Sequence, residues 1–241
     1  MLPKLDVPIY EVKLISTGKT IRFRPFLVKE QKLLLMAQQS EDNKETVTVV
    51  KQILKNCIVD EIDVDNLATF DVEYIFLNLR ARSVNDIVDL QYKCNNKIKD
   101  DKDEEKDCGN LVKLSINLLE IKPEASKIDS KIQLSKNMGV SMKYPTLKMI
   151  EGIEGTEVEK LMLILSKCVE YVYDAENIYY SKDIQPEELK EFIENLTGEQ
   201  FAKIQQFFDN IPKISKKVNF GCSKCGYQED IVIEGIQNFF V

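Results

Sequence analysis

The sequence predicts an α+β protein: an N-terminal β-hairpin and helices, then a discontinuous ribbon of strands interrupted by a helical insertion. Three observations carry this reading. Short alternating runs bracket a glycine turn near the start, helix-spaced apolar stripes recur along the chain, and two distant cysteine pairs are each followed by a glycine and an extended run. At 241 residues, with 44% apolar and 30% charged side chains, the chain falls in the globular range and can bury a core.

Residues 9–15 alternate as a strand should, and Ser16-Thr17-Gly18-Lys19 supplies a turn with glycine where positive φ is needed. Residues 20–24 return as a second strand, which Pro25 ends because proline cannot donate to a ladder. Residues 28–37 are rich in helix formers and place Val28, Leu34 and Leu35 on one side. Asp42-Asn43 caps a second helix running to about Lys55, striped by Val47, Val50, Ile53 and Leu54. A third helix spans 71–82 through Val72, Ile75, Phe76 and Leu79. The acidic connector 60–65 lacks the glycine and terminal glutamate of a calcium loop, so it reads as a solvated turn.

The organising stretch is Phe220-Gly221-Cys222-Ser223-Lys224-Cys225-Gly226-Tyr227. Two thiolates two residues apart can grip one metal ion, and the flanking glycines permit the turn that aims both sulfurs inward. Four soft ligands close a structural zinc shell, and Cys94 and Cys108 supply the other half. Each pair lies between extended runs, 87–92 and 111–116 in one case, 217–220 and 229–233 in the other. The expectation is two β-hairpins closed over one zinc by Cys94, Cys108, Cys222 and Cys225, with disulfides or free thiols as the other readings. The first pair is interrupted by a charged run, 98–107, that cannot pack and reads as an excursion from the hairpin tip. A dozen extra polar residues should cost about 1–2 kcal/mol of closure entropy, small beside roughly 10–16 kcal/mol of apparent zinc binding. Cys57 and Cys168 lie in apolar helix-like runs and read as core residues.

Between the cysteine pairs, 131–134 and 139–144 read as two short strands, closed by Pro145. Thr156, with Glu159 as its capping-box partner, starts a helix. It is apolar on most of its circumference from Val158 to Val172 and is therefore expected to be the central buried one. Further helices start in 181–189 and at Thr197, the latter ending before Pro212. Phe201, Ile204, Phe207, Phe208 and Ile211 form an aromatic stripe, read as core packing with a partner-binding face as the alternative. The resulting division is 1–85 for the N-terminal hairpin and helices, 86–121 with 215–235 for the ribbon-like subdomain, and 122–214 for inserted strands and helices. The apolar end Phe239-Phe240-Val241 is expected to dock on this or another subunit.

Two features of composition narrow function. The chain has no histidine, which removes histidine triads, histidine proton shuttles and histidine-ligated catalytic zinc. Its net charge is −7 with no basic stripe, which disfavours binding to phosphate backbones. No apolar run reaches a membrane span, and the N-terminus lacks the basic-then-apolar order of a signal peptide. A closed four-thiolate shell cannot activate water, so no enzyme is expected and no catalytic residue is nominated.

The stretch from Ser16 to Ala37 carries a lysine-bearing turn, an Arg22-Phe23-Arg24-Pro25-Phe26 strand end and a Lys29-Glu30-Gln31 helix start. In that order it resembles the N-terminal signature of the T-even-type bacteriophage baseplate family, hub subunits of contractile tails. The likeness extends through Tyr144-Pro145-Thr146 to Cys222 and Cys225, over most of the chain. The wide Cys94 to Cys108 spacing departs from a compact ribbon. The resemblance implies a structural or assembly subunit of the baseplate hub, in the virion tail and assembled in the host cytoplasm. Its implied partners are other hub or tail proteins, with self-association as a further option; composition argues against a membrane and disfavours nucleic acid. The competing class is a zinc-ribbon nucleic-acid-binding or transcription factor, which requires lysines clustered on the ribbon. Arg24, Lys29 and Glu30 are candidates for partner contact, with solvated surface as their other reading.

Overall fold

The computed structural model describes residues 6–39, 43–99, 104–123 and 129–234. It is an α+β chain of several small antiparallel sheets and helices rather than one continuous sheet.

The opening hairpin pairs β1 (Tyr10–Lys13) with β2 (Thr20–Phe23), Val12 opposite Ile21. Gly18 takes φ 70° in the turn, as expected. Three helices follow: α1 (Val28–Gln39), α2 (Asn43–Cys57) and α3 (Thr69–Ser83). Val12, Ile21, Phe23, Ile53, Leu54, Ile75, Phe76 and Leu79 form their shared core. The aliphatic spacing read from the sequence fixes which faces of α2 and α3 turn inward.

Two buried carboxylates tie this core to its loops. Asp71, in the first turn of α3, accepts hydrogen bonds from the backbone N–H of Ile15 (2.7 Å) and Ser16 (3.3 Å) and from the Ser16 hydroxyl. Glu30 is fully buried, which corrects the expectation of a solvated residue. Its carboxylate takes a forked pair of hydrogen bonds from Arg24 (3.1 and 3.2 Å) and one from the Leu27 N–H (2.8 Å), capping α1. Arg24 also donates to the Asn56 carbonyl at 2.8 Å, so both residues are structural members of this body. Lys29 is exposed, in line with its solvated reading, with its Nζ 3.5 Å from Glu30. In the acidic connector, Asp63 caps a short 3-10 turn, while Asp65 pairs with Lys51 and Lys55 at 2.8 and 2.9 Å.

The ribbon begins with β3 (Ile87–Lys93), then β4 (Lys97–Lys99), β5 (Glu105–Asp107) and β6 (Leu111–Asn117). Strands β3 and β6 pair along their length, while β4 and β5 pair with each other. The charged run is thus a small hairpin of its own on the described residues that flank 100–103.

The segment 122–214 holds more structure than the two strands and three helices expected. It contains β7 (Lys131–Gln133), β8 (Gly139–Met142), α4 (Leu147–Ile150), α5 (Glu157–Cys168), β9 (Val169–Tyr173), β10 (Ile178–Tyr180), α6 (Pro186–Glu194) and α7 (Gly198–Asp209). Its sheet runs β10-β9-β8-β7, antiparallel throughout. The predicted helix to Val172 is corrected: α5 stops at Cys168, and Val-Glu-Tyr-Val-Tyr continues as β9 because pairing with β8 outweighs local helix spacing. Nor is α5 a central helix, since Val158 and Leu161 are exposed and only its last turns enter the core. The predicted capping box is present, with Glu159 and Thr156 bonded reciprocally. The aromatic stripe of α7 packs inward: Ile204 and Phe207 are buried, while Phe201, Phe208 and Ile211 pack partly buried against the same core. Tyr144 links this core to α3, stacked on Phe207 at 5.8 Å and edge-on to Phe70 at 4.9 Å.

The chain returns through β11 (Ser215–Gly221) and β12 (Gln228–Glu234). A third core cluster joins α3 to both ribbon hairpins through Leu77, Val88, Ile116, Ile214 and Ile233. The apolar C-terminal end lies outside the described residues. Among the described residues, no helix is long and apolar enough to cross a membrane.

Candidate metal centre

The two cysteine pairs meet at the far end of the ribbon. In the second knuckle, the Cys222 N–H donates to the Tyr227 carbonyl at 2.8 Å and the Gly226 N–H to the Cys222 carbonyl at 2.9 Å. The first knuckle repeats this: the Cys94 N–H donates to the Asn110 carbonyl at 2.9 Å and the Gly109 N–H to the Cys94 carbonyl at 3.0 Å. Gly226 and Gly109 occupy the same place in each turn, at φ 74° and 64°. A residue with a Cβ would be strained there, which is why glycine follows the second cysteine of both pairs. The thirteen-residue interruption therefore leaves the knuckle unchanged. The Cys108 N–H bonds to the Asn96 carbonyl at 2.8 Å, and the β4-β5 hairpin leaves from that closed base.

The knuckles face each other so that partners cross between them. Cys94 Sγ lies 3.7 Å from Cys225 Sγ, and Cys108 Sγ lies 3.8 Å from Cys222 Sγ. All four sulfurs fall within 4.8 Å of one another. A disulfide needs about 2.0 Å, so these are free thiols, as are Cys57 and Cys168. Four sulfurs placed tetrahedrally at about 2.3 Å from a zinc ion stand about 3.8 Å apart, and the two crossed pairs have that spacing. The donor set therefore fits a soft, four-coordinate cation.

Cys94, Cys108 and Cys222 are buried, and Cys225 is partly exposed. Beneath them Phe220 is fully buried, its ring 4.8 Å from that of Tyr92. Burial pushes Cys94 up to about 12, with the neighbouring sulfurs adding to it. Cys108 is also raised: the Asn110 N–H lowers it, but burial and the facing sulfurs outweigh that bond. Burial likewise opposes ionisation of Cys222, yet the N–H groups of Cys225 and Lys224 pull it down to about 6. Close thiols resist shared negative charge, and a divalent cation would remove that resistance. Cys57 and Cys168, fully buried in apolar cores, are pushed up by burial to about 11 and about 12 and have the character of small hydrophobes.

Sequence reading did not single out Asn96 and Asn110. Each side-chain amide donates across the site, Asn96 to Cys225 Sγ and Asn110 to Cys222 Sγ, both at 3.6 Å. Lys224 Nζ reaches the Cys108 carbonyl at 3.3 Å and also links the knuckles. The only available signal was position, since both asparagines sit two residues after a cysteine. The ribbon lysines do not form a stripe of one sign: Lys113 pairs with Asp89, Lys217 with Asp230 and Lys216 with Glu120. That interleaving is the opposite of what a phosphate-binding face requires.

Comparison with known proteins gives one family. The model described as T4 bacteriophage base plate protein matches residues 7–241, nearly the whole chain. No curated protein and no solved structure was found to match.

Proposed function

From the premise that this chain belongs to the T4 bacteriophage base plate protein family, and so has a structural role in a phage baseplate, we propose that it is a subunit of the baseplate hub or of its assembly, its ribbon closed by one structural zinc. The observation that carries the metal reading is the convergence of Cys94, Cys108, Cys222 and Cys225 from two equivalent knuckles. Zinc would be held by these four thiolates, a closed shell with no position for water or substrate, so its role would be to fix shape. The reading needs no reaction. The other baseplate and tail proteins are the natural partners, in the virion tail after assembly in the host cytoplasm.

Two measurements test it. Elemental analysis of the purified full chain should find about one zinc per chain, lost in Cys222→Ser. A metal-free wild type with a fully protected ribbon would sink the zinc reading. Quantitative mass spectrometry of purified particles should find the chain at a fixed copy number relative to known tail proteins. Abundance in infected cells without presence in particles would instead make it a transient assembly factor.

A further inference from the structure

Three side chains placed two residues after a cysteine share one behaviour: Asn96 after Cys94, Asn110 after Cys108 and Lys224 after Cys222. All three reach across to the opposite knuckle. Lys224 meets a carbonyl, that of Cys108, whereas Asn96 and Asn110 meet the sulfurs of Cys225 and Cys222, each at 3.6 Å.

Each asparagine serves one facing pair of sulfurs. Cys94 faces Cys225 at 3.7 Å, and Asn96 bonds both, its backbone N–H to Cys94 and its side chain to Cys225. Cys108 faces Cys222 at 3.8 Å, and Asn110 bonds both in the same way. The Asn110 amide also donates to Ser223 Oγ at 3.4 Å, which helps to fix its plane. The adjoining Asn95 is exposed, so adjacency to a cysteine alone does not bring an asparagine to the sulfurs.

A thiolate accepts hydrogen bonds and donates none, so each amide has to turn its nitrogen and not its oxygen towards the sulfur. Four thiolates around one divalent cation carry more negative than positive charge, and burial makes that excess costly. N–H groups aimed at sulfur offset it. Bonds from outside the ligand shell also fix the direction in which the ligands point. On the basis of the zinc reading above, we propose that Asn96 and Asn110 are positioning residues of the metal centre. Their amides cross from the first knuckle to hold the Cys225 and Cys222 sulfurs in place and to offset thiolate charge. Metal affinity therefore depends on these two side chains as well as on the four cysteines.

Cobalt(II) titration of the reduced full chain, followed by zinc displacement in competition with a chelator, tests this. Wild type should give the spectrum of a tetrahedral tetrathiolate site. Asn96→Ala and Asn110→Ala should each keep that tetrahedral character and bind metal roughly 10–100-fold more weakly. Their sulfur-to-cobalt charge-transfer band should move to longer wavelength, because a sulfur that loses its donor gives up electrons more readily. Asn96→Asp and Asn110→Asp keep the shape but set a carboxylate against a thiolate, and should bind more weakly than the alanine variants. Asn95→Ala should match wild type. Circular dichroism identifies any variant whose body fails to fold, and the band is read on the metal-bound form, so it stays informative where a metal-free ribbon is unfolded. Alanine variants that bind like wild type, aspartate variants that do so, or weaker binding with an unshifted band would each overturn the proposal and leave the zinc reading intact. A wild type that binds neither cobalt nor zinc through sulfur would overturn both.

Discussion

The hairpin-and-helix body and the cysteine end of the ribbon differ in what fills them. Around α3, Phe23, Ile53, Phe76 and Leu79 pack among many other apolar side chains, and two buried carboxylates anchor the loops. At the ribbon end, Leu114 and Phe220 are buried with three of the cysteines, and Tyr92, Val112, Val218 and Ile231 pack partly buried against them. Four strands of seven residues fully bury only one or two side chains each. Two-stranded hairpins of that kind are marginal by themselves. The first region can be held by burial, whereas the second needs another source of cohesion, and the sulfurs stand where a metal would supply it.

The contrast breaks most visibly on removal of the proposed metal. Chelation, or Cys222→Ser, should cost the ribbon on the order of 10 kcal/mol of metal-linked stability. Hydrogen exchange would then show lost protection in β3, β6, β11 and β12 while α2 and α3 stay protected; equal loss in both regions would mean that they are not separable. In the other direction, Phe76→Ala should destabilise the body by about 3–5 kcal/mol, read by denaturant unfolding, with zinc content unchanged.

Glu30→Ala should cost roughly 3 kcal/mol by stranding the Arg24 guanidinium. Burial raises the Glu30 carboxyl, but the hydrogen bonds from Arg24 and the Leu27 N–H outweigh it, and the net value lies below the ordinary one. A depressed folded value contributes stability that is complete above the unfolded value near ~4.3 and is lost as pH falls through the folded one. Glu30→Gln should therefore show a flatter loss of stability below about pH 4 than wild type. The smallest expected effect sharpens the likeness of the knuckles. Replacing the chain between Cys94 and Cys108 by two residues should retain the metal and change stability by about 1–2 kcal/mol.

What the sequence made legible follows from how local each signal is. The knuckle at Cys222 and Cys225 is written in adjacent residues, and Gly109 after Cys108 was enough to find its counterpart across a long gap. The opening hairpin and the stripes of α2 and α3 were equally local. The run after Cys168 was misread because Val169–Tyr173 satisfies both periods, and its partner strand β8 decides the matter from far away in the chain. Strand β10 was missed for the same reason, since nothing but pairing with β9 makes Ile178–Tyr180 extended. Glu30 and Asp71 looked like ordinary charges on helix starts. Their burial depends on Arg24 and on the 15–16 backbone, contacts that no pattern within one helix reveals.

The separation of the knuckles also orders events in time. Cys108 and Cys222 are 114 residues apart. At about 5–20 residues per second, the first knuckle leaves the ribosome roughly 6–23 s before the second. Throughout that interval two thiols stand without their opposite pair while the 122–214 segment has time to fold between them. A metal held by all four would be captured last, so its arrival would mark a chain that had been synthesised past Cys225 and folded in the middle.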